Sequence, residues 1–301
     1  MKLTILGSYS ATPRIIAQTT AQVLETRGHH FLIDCGEGTQ IELRRHKLKF
    51  NQIKHIFISH LHGDHYFGLI GLISTFRLLK READLYIYGP KGIKDIITLQ
   101  LKLSKSWTDF KLFFHELEST DSECIFEDDK VSVYTIPLIH RIYTNGFLFV
   151  EKAFDRKLNI EKAEEKNIDK AYFRKLKQGS DVLDRDGIFI KNAEVTTMGV
   201  KPKSYAFCSD TAYSEAIVPI IKSVDALYHE STFLESQESL CIHTKHSTAK
   251  QAATIAKKAE VGTLILGHYS SRYKDLRLFK SEAETVFSPV ELATDGKVFA
   301  I

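Results

Sequence analysis

The chain has 301 residues, 43% hydrophobic and 26% charged, which is usual for a globular protein with one large domain or two small ones. Its net charge of +3 does not by itself indicate a nucleic-acid partner, so any such surface must be a local patch. The four cysteines have no CxxC spacing, which argues against a disulfide framework and a cysteine-type zinc site. Without a signal-peptide pattern or an apolar run long enough to span a bilayer, we expect a soluble, cytoplasmic protein and no membrane partner.

Strand-like and helical patterns alternate along the first half of the chain. Strands are predicted at 2–6, 20–25, 30–34, 53–59, 84–88, 110–114, 131–138 and 145–150. A hairpin turn is predicted at Arg27-Gly28, between the second and third of these strands. Apolar residues at helical spacing predict helices at 66–80 and 91–105.

The second half repeats this alternation. Strands are predicted at 204–208, 226–229 and 263–266. Helices are predicted at 213–223, 247–259 and 274–287, the second with Ser247 as its N-cap, and a final hairpin turns at Asp295-Gly296. Two β-rich halves with helices outside predict a single α/β domain over 1–301, built as a four-layer αββα sandwich.

The segment 151–201 does not fit this alternation. It is highly charged and weakly apolar, and it lies between two well-marked strands. Connections of this length without regular structure are usually functional or disordered. We therefore interpret it as an inserted arm that projects from the domain.

The sequence HLHGDH follows the predicted strand at 53–59 and supplies three imidazoles and one carboxylate. These side chains are His60, His62, Asp64 and His65. Zinc prefers imidazole nitrogens and carboxylate oxygens, and a tight turn at Gly63 would let the first two face one metal and the last two a second. A histidine-rich surface loop is the alternative, but this order of residues between a strand and an apolar helix favours metal.

Three further candidates each follow a predicted strand, and they are His140, Asp210 and His268. A lone histidine or aspartate is more often structural, but ligands gathered from several strand ends are held rigidly by a sheet. One metal would have His60, His62, His140 and Asp210; the other would have Asp64, His65, His268 and the same bridging Asp210. Metals about 3.5–4 Å apart can clamp a phosphate between them. Because all donors are nitrogen or oxygen, we expect two Zn²⁺ per chain, with Mn²⁺ or Fe²⁺ as substitutes.

Several motifs resemble the metallo-β-lactamase superfamily and, within it, the short form of RNase Z, over nearly the whole chain. FLIDCGEGTQ at 31–40 resembles the family's strand and loop before the histidine motif, and CSDT at 208–211 its bridging-aspartate motif. HEST at 229–232, HSTA at 246–249 and GHYSSRY at 267–273 resemble three later loops of the family. General hydrolases of the superfamily share the HxHxDH motif but not this full set.

The resemblance implies a zinc-dependent endoribonuclease that cleaves the 3′ trailer from precursor tRNA, leaving a 3′-hydroxyl on the tRNA and a 5′-phosphate on the trailer. Asp64 would accept the proton of the attacking water, and His246 would donate one to the leaving ribose oxygen. Glu230 would hold His246 in position, and Asp34 would orient a metal ligand. The alternatives are that His246 is only a residue at a helix N-terminus, Glu230 a surface carboxylate and Asp34 a turn residue.

Basic residues of the arm predict a tRNA exosite. Within eight residues that contain no acid, they are Lys170, Arg174, Lys175 and Lys177. A solvated helix face is the alternative, but placement on an arm favours phosphate binding. Near the last ligand, Ser270, Ser271 and Arg272 are expected to anchor phosphates. The family also implies a homodimer in which the arm of one subunit serves the active site of the other.

Two other functions remain open at this point. A hydrolase of the same fold could act on a small phosphodiester, a lactone or a thioester, and it would not need the arm. A metal-dependent RNA-binding protein is the non-enzymatic alternative, although such a protein has no use for an open two-metal centre. Turnover of a generic phosphodiester and of precursor tRNA would separate the three.

Overall fold

Strands and helices alternate along the chain in a computed structural model that describes residues 1–15 and 17–301. In chain order the strands are β1 (Lys2–Gly7), β2 (Ala21–Thr26), β3 (His29–Ile33), β4 (Ile53–Phe57), β5 (Leu85–Pro90), β6 (Leu112–Leu117), β7 (Cys124–Glu127), β8 (Val131–Pro137), β9 (Asn145–Glu151), β10 (Lys157–Leu158), β11 (Val182–Leu183), β12 (Phe189–Ile190), β13 (Thr196–Thr197), β14 (Ser204–Cys208), β15 (Ala226–Glu230), β16 (Leu264–Gly267), β17 (Val290–Leu292) and β18 (Val298–Ala300). The α-helices are α1 (Thr39–Arg45), α2 (Gly63–Tyr66), α3 (Gly68–Leu78), α4 (Ile93–Leu103), α5 (Ile160–Glu165), α6 (Phe173–Lys177), α7 (Asn192–Val195), α8 (Glu238–Thr244), α9 (Ala249–Lys258) and α10 (Arg277–Glu284). No helix in the described part of the chain is long and apolar enough to cross a membrane.

The main unit comprises Met1–Val150 and Lys203–Ile301 and contains two seven-stranded sheets. The strand order is β18-β1-β2-β3-β4-β5-β6 in the first sheet and β17-β16-β15-β14-β9-β8-β7 in the second. Strands β3 to β6 are parallel to one another, as are β14 to β17. Because the carboxyl ends of parallel strands meet at one edge of a sheet, the loops that follow them are brought together.

Three hydrophobic cores separate the four layers of the main unit. The central core lies between the sheets, where the ring centroid of Phe149 is 5.3 Å from that of Phe31 and 5.4 Å from that of Phe57. A second core joins the first sheet to α1, α3 and α4, and a third joins the second sheet to α9 and α10. This arrangement confirms the predicted αββα sandwich.

The predicted hairpin at Arg27-Gly28 is confirmed. It joins β2 and β3 in antiparallel register, with Thr26 opposite His29. Both turn residues have positive φ, 51° and 90°. That pattern belongs to the turn whose twist matches the twist of the flanking strands.

The predicted helix at 213–223 is wrong. The segment forms only the 3₁₀ turn Glu215–Ile217, followed by further turns. Pro219 has no backbone N–H, so it cannot donate the hydrogen bond to the carbonyl of Glu215 that a continuous α-helix needs at this position. The apolar residues of this segment pack in the third core.

The predicted helix at 66–80 is divided into α2 and α3 at Phe67. Gly68, which begins α3, packs against the carbonyl oxygen of Gly36, and any side chain at Gly68 would collide with that oxygen. The break lets α2 carry ligands at the sheet edge while α3 covers the second core.

The helix predicted at 247–259 begins after Thr248, which is its N-cap in place of Ser247. The Thr248 hydroxyl accepts a hydrogen bond from the Gln251 amide, and the Gln251 side chain accepts one from the Thr248 amide, both at 3.1 Å. The Ser247 hydroxyl instead donates to the carbonyl of Thr211 at 2.7 Å. Ser247 therefore joins two loops rather than capping a helix.

The predicted hairpin at Asp295-Gly296 is also wrong, because the strands on its two sides belong to different sheets. Strand β17 pairs with β16 in the second sheet, and β18 pairs with β1 in the first. The Asp295 carboxylate accepts hydrogen bonds from the Ser8 hydroxyl at 2.8 Å and the Gln18 amide at 2.6 Å. The turn thus carries the chain from one sheet to the other.

The segment Glu151–Pro202 forms a second compact unit, one residue longer than the arm predicted at 151–201. It contains α5, α6 and α7 and two small strand pairs, β10 with β13 and β11 with β12. Its own small core is formed by Ala163, Ile168, Leu176, Val182, Ile190 and Val195. The arm is therefore folded, and its role as a tRNA exosite stays a prediction.

Candidate metal centre

The structure brings all seven candidate ligands into one cluster. Ligand atoms within 4.8 Å of one another come from His60, His62, His140 and Asp210. A second set with the same spacing consists of Asp64, His65 and His268. Asp210 lies between the sets: its Oδ2 is 3.5 Å from His60 Nε2, and its Oδ1 is 3.3 Å from His65 Nε2 and 3.1 Å from His268 Nε2. One oxygen therefore faces each set, as a bridging carboxylate requires.

The first set is built from neutral imidazoles. His140 donates its Nδ1 proton to the carbonyl of Lys245 at 2.9 Å, which leaves Nε2 as the free nitrogen, 3.2 Å from His62 Nδ1. Burial lowers the pKa of His140 to about 4 and also lowers the pKa of His60 and of His62. Neutral nitrogens that converge with a carboxylate are the donors that zinc prefers.

In the second set, Asp34 orients His65. Its Oδ2 accepts hydrogen bonds from His65 Nδ1 at 2.7 Å and from the Ser59 hydroxyl at 2.9 Å, and its Oδ1 accepts one from the Ser59 amide at 2.7 Å. With Nδ1 donating, His65 Nε2 keeps its lone pair for the cluster. The role predicted for Asp34 agrees with this geometry.

The second set also favours positive charge. Burial alone would lower the pKa of His65, but the carboxylates of Asp210, Asp64 and Asp34 raise it well above its usual value. The Nε2 atoms of His65 and His268 are buried and have no hydrogen-bond partner among the described residues. Two unpaired nitrogens that face carboxylates fit a divalent cation, which would satisfy both kinds of group.

Asp64 is held at the edge of the cluster. Its Oδ2 accepts a hydrogen bond from the Ala11 amide at 2.7 Å and lies 3.6 Å from Nε2 of both His65 and His268. Burial acts to raise the pKa of Asp64, but the two histidines lower it below its usual value. Asp64 is therefore an ionised carboxylate. The contact with Ala11, 53 residues away along the chain, has no signal in the sequence.

One buried carboxylate joins three loops around the cluster. Glu230 is fully buried, and its Oε1 accepts hydrogen bonds from the amides of Thr211 and Ser247 at 3.1 and 2.9 Å. The same oxygen is 2.9 Å from His246 Nδ1. Its Oε2 accepts from both the amide and the hydroxyl of Thr232, each at 2.8 Å. The surface position considered for Glu230 is therefore wrong.

Thr232 connects Glu230 to the last candidate ligand, His268. Because its hydroxyl donates to Glu230, its oxygen accepts a hydrogen bond from His268 Nδ1, at 2.9 Å. That bond leaves His268 Nε2 facing Asp210 and Asp64. Thr232 belongs to the HEST motif but is not among the site residues predicted from the sequence.

His246 lies beside the cluster and is held by Glu230. Burial acts to lower the pKa of His246, but the charge and hydrogen bond of Glu230 raise it to about 9. An imidazolium at neutral pH can donate a proton. A third set of ligand atoms within 4.8 Å, from Asp210, His246 and His268, also makes His246 a candidate metal ligand.

The residues after His268 lie in a loop tied to the same site. The Ser270 amide donates to the carbonyl of Thr232 at 3.2 Å, and the Arg272 guanidinium lies 5.4 Å from the ring centroid of Phe233. The carbonyl of Ser271 accepts a hydrogen bond from a guanidinium N–H of Arg14, a residue not identified from the sequence. The exposed Arg141, next to the ligand His140, is also close enough to act electrostatically on His62 and His246.

In the arm, the four basic candidates lie in one short stretch of 3₁₀ helix and α6, and all four side chains are exposed. Lys170 Nζ is 3.7 Å from Glu164 Oε1, and Lys175 Nζ is 5.5 Å from the ring centroid of Tyr172. The rings of Tyr172 and Phe173, which interleave with the basic residues, pack against the arm's core. The basic side chains are thus available to a partner, whereas the aromatic rings support the unit.

Comparisons with known proteins show which family this chain resembles over its whole length. A protein named Ribonuclease Z from Parabacteroides distasonis is 43% identical over 294 residues, which cover 98% of this chain and 97% of the relative. Ribonuclease Z of Cytophaga hutchinsonii is 48% identical over 301 residues, covering 100% and 96%. The crystal structure of human tRNase Z, short form, superposes with a TM-score of 0.74 at 29% identity, covering 100% of this chain and 99% of that one.

A family model described as that of the anti-Pycsar protein Apyc1 also matches residues 1–160. That match spans the HLHGDH motif and His140 but ends before Asp210 and His268. The Ribonuclease Z relatives align over nearly the whole chain, including the later loops that hold Glu230 and His246. The resemblance drawn from the sequence motifs is confirmed: the chain belongs to the ribonuclease Z family, on the metallo-β-lactamase fold.

Proposed function

We propose that this protein is a metal-dependent endoribonuclease that removes the 3′ trailer from precursor tRNA and leaves a 3′-hydroxyl on the tRNA. The observation that carries the proposal is the convergence of seven ligand side chains beside the Glu230–His246 pair. The Ribonuclease Z relatives and the tRNase Z structure support the choice of substrate. Such a substrate implies a cytoplasmic location.

The proposed cofactor is a pair of zinc ions. One would be held by His60, His62, His140 and Asp210, and the other by Asp64, His65, His268 and Asp210. Metals bound there would activate water and stabilise the charge that develops on the phosphoryl oxygens. The nitrogen and oxygen donors also accept Mn²⁺ or Fe²⁺.

The protein's own residues would handle the protons of the reaction. Asp64, fixed by the Ala11 amide, accepts a proton from the attacking water as the new bond from oxygen to phosphorus forms. His246, held at Nδ1 by Glu230, donates its other ring proton to the ribose 3′ oxygen as the bond between phosphorus and that oxygen breaks. The products are a 3′-hydroxyl on the tRNA and a 5′-phosphate on the trailer.

Two surfaces are proposed to bind tRNA, one in the arm and one in the loop after His268. The arm residues Lys170, Arg174, Lys175 and Lys177 would bind tRNA phosphates, and Ser270, Ser271 and Arg272 would anchor phosphates near the cut. The protein would act as a homodimer in which the arm of one subunit serves the active site of the other.

Incubation with a precursor tRNA, followed by mapping of both new ends, tests the proposal. We expect one cut that leaves a 3′-hydroxyl on the tRNA and a 5′-phosphate on the trailer. Intact precursor tRNA, in a preparation that hydrolyses a nitrophenyl phosphodiester, would reject this function in favour of a small-substrate hydrolase.

Metal content tests the bridging role of Asp210. The parent should contain two zinc equivalents per chain, and Asp210→Ala should lose at least one of them, because Asp210 faces both ligand sets. Elemental analysis after exhaustive dialysis gives the metal count. Asp225→Ala, which removes a carboxylate paired with Lys203 outside the cluster, is the matched control and should keep two. Two equivalents in Asp210→Ala would contradict the bridge.

A further inference from the structure

A cavity of about 440 Å³ shares the His246 side chain with the candidate site. Its other walls include Tyr213, from the loop after β14, and Glu238 and Ile242 of α8. None of these three residues is a candidate ligand or a proton-transfer residue. The cavity therefore extends the site in a direction that the proposed mechanism does not use.

The chemistry of cleavage indicates which part of the substrate lies on this side. A product with a 3′-hydroxyl requires the bond between phosphorus and the ribose 3′ oxygen to break, and this oxygen takes the proton from His246. The donor must lie within hydrogen-bond reach of that oxygen. The nucleoside next to His246 is thus the last one that stays on the tRNA.

The apolar walls of the cavity suit a nucleobase. Ile242 is 65% exposed, and Tyr213 presents a half-buried ring whose hydroxyl donates to Glu215 at 2.8 Å. Single-stranded bases are commonly held by stacking on aromatic rings and by contact with apolar side chains. An exposed isoleucine beside an anchored ring is the surface that such a base would cover.

The polar groups of the cavity favour one kind of base edge. Gln251 uses both ends of its side chain, because its Nε2 donates to Glu238 Oε1 at 2.9 Å and its Oε1 accepts from the Thr248 amide at 3.1 Å. Among the described residues, Glu238 Oε2 accepts no hydrogen bond. A free carboxylate oxygen can accept a hydrogen bond from an amino group such as N4 of cytosine. Uracil has a carbonyl oxygen at the same position, which would repel the carboxylate.

We propose that this cavity, the Tyr213 cavity, binds the base of the last nucleoside retained on the tRNA, and that Glu238 favours a base with an amino group there. The proposal rests on the proposed function and adds to it a specificity for one nucleoside. The contact is made by Tyr213 and Ile242 on the base and by Glu238 on its edge.

A double-mutant cycle between protein and substrate tests the contact. The kcat/KM of the parent and of Tyr213→Ala is measured on a precursor tRNA and on the same precursor without a base at that nucleoside. Each single change should lower kcat/KM about tenfold, as for the loss of one stacked base. The two together should do no more than either alone, because both remove the same contact.

Controls separate this contact from damage to the fold. Tyr213→Phe keeps the stacking ring and loses its hydrogen bond to Glu215, so its cleavage should still fall when the base is missing from the precursor. Ile242→Ser, at an exposed position, should repeat the partial loss and the cycle. Trp107→Ala removes another exposed aromatic ring and should leave kcat/KM unchanged on both the intact and the abasic precursor. Losses that multiply to about a hundredfold for Tyr213→Ala on the abasic precursor would overturn the proposal.

The preference for a base with an amino group is tested with two precursor tRNAs. They carry cytidine or uridine as the last nucleoside that is retained after cleavage. The parent should cleave the cytidine substrate about five to ten times faster, as for the net gain from one hydrogen bond, and Glu238→Gln should bring this ratio close to one. Glu235→Gln, at a neighbouring exposed carboxylate paired with Lys250, should keep the parent ratio. An unchanged ratio in Glu238→Gln would remove Glu238 from the proposal. If the parent cleaves no precursor tRNA, the proposed function itself fails. If the parent cleaves it but the two losses of kcat/KM multiply in the cycle, only base binding in the Tyr213 cavity is rejected.

Discussion

Glu230 orders the loops around the cluster, because its carboxylate accepts hydrogen bonds from the amides of Thr211, Thr232 and Ser247, which lie in three different loops. In Glu230→Gln an NH₂ group would face backbone N–H donors that now point at an oxygen. We expect the free energy of unfolding to fall by about 2–4 kcal/mol, since buried donors would be left unpaired.

Urea unfolding, followed by circular dichroism, measures this change. The matched control is Glu260→Gln, at an exposed carboxylate paired with Lys222, which should stay within about 0.5 kcal/mol of the parent. Equal midpoints for the two variants would show that the hydrogen bonds of Glu230 do not stabilise the fold.

The surroundings of His246 allow two roles for this residue, proton donor and metal ligand. If it donates a proton, His246→Ala should keep both metals and lower precursor-tRNA cleavage at least about a hundredfold, because a ribose oxygen is a poor leaving group. Cleavage of a nitrophenyl phosphodiester should change little, since nitrophenolate leaves without a proton. Paired rate measurements and elemental analysis distinguish the roles, and loss of a metal with equal damage to both substrates would make His246 a ligand.

At the scale of elements, the arm can be removed cleanly. It joins β9 to β14, and these are neighbouring antiparallel strands with Val150 opposite Ser204. A short Gly/Ser turn in place of residues 153–201 would therefore make an ordinary hairpin. A smaller excision, of 162–181, would remove about half of the arm's core, including Ala163, Ile168 and Leu176.

If the arm is a tRNA exosite, this deletion should keep hydrolysis of a nitrophenyl phosphodiester and lose precursor-tRNA cleavage mainly through KM. Reversal of Lys170, Arg174, Lys175 and Lys177 to glutamate should do the same and flatten the salt dependence of tRNA binding, because fewer counterions are released. Steady-state kinetics and a salt titration measure both effects. Reversal of the exposed Lys94, Lys102, Lys105 and Lys111 is the charge-matched control. Parent-like cleavage of precursor tRNA by the deleted protein would rule out an exosite.

At the scale of the whole molecule, complementation tests whether the arm acts on a second subunit. The arm deletion retains an active site, and Asp64→Ala retains an arm, so neither should process precursor tRNA alone. Mixed and re-associated in equal amounts, they should recover roughly a quarter of the parent activity, because half of the dimers pair the two chains and each has one complete site. Sedimentation gives the assembly state. A dimer without recovered activity would show that each arm serves its own subunit.

The sequence by itself determined the chemistry of this protein, because the relevant signals are local. Strand patterns end directly before His60, Asp210 and His268, so the ligand residue types and their positions after strands can be read along the chain. The pairing of two β-rich halves with helical segments was enough to predict four layers. Elements without such signals were missed: helices α1 and α8 have only seven residues each, and the edge strand β7 has four.

Only the tertiary structure decided how the ligands are held. Ala11 supports Asp64 and Thr232 orients His268 through contacts that no spacing along the chain records. The turn at Asp295 crosses between sheets because residues near the N-terminus bind its carboxylate. A sequence pattern shows which residues are apolar or can ligate, but a hydrogen bond between distant loops depends on distances that exist only once the cores have packed. The orientation of the site is therefore a property of the fold, although its residue types can be read in the sequence.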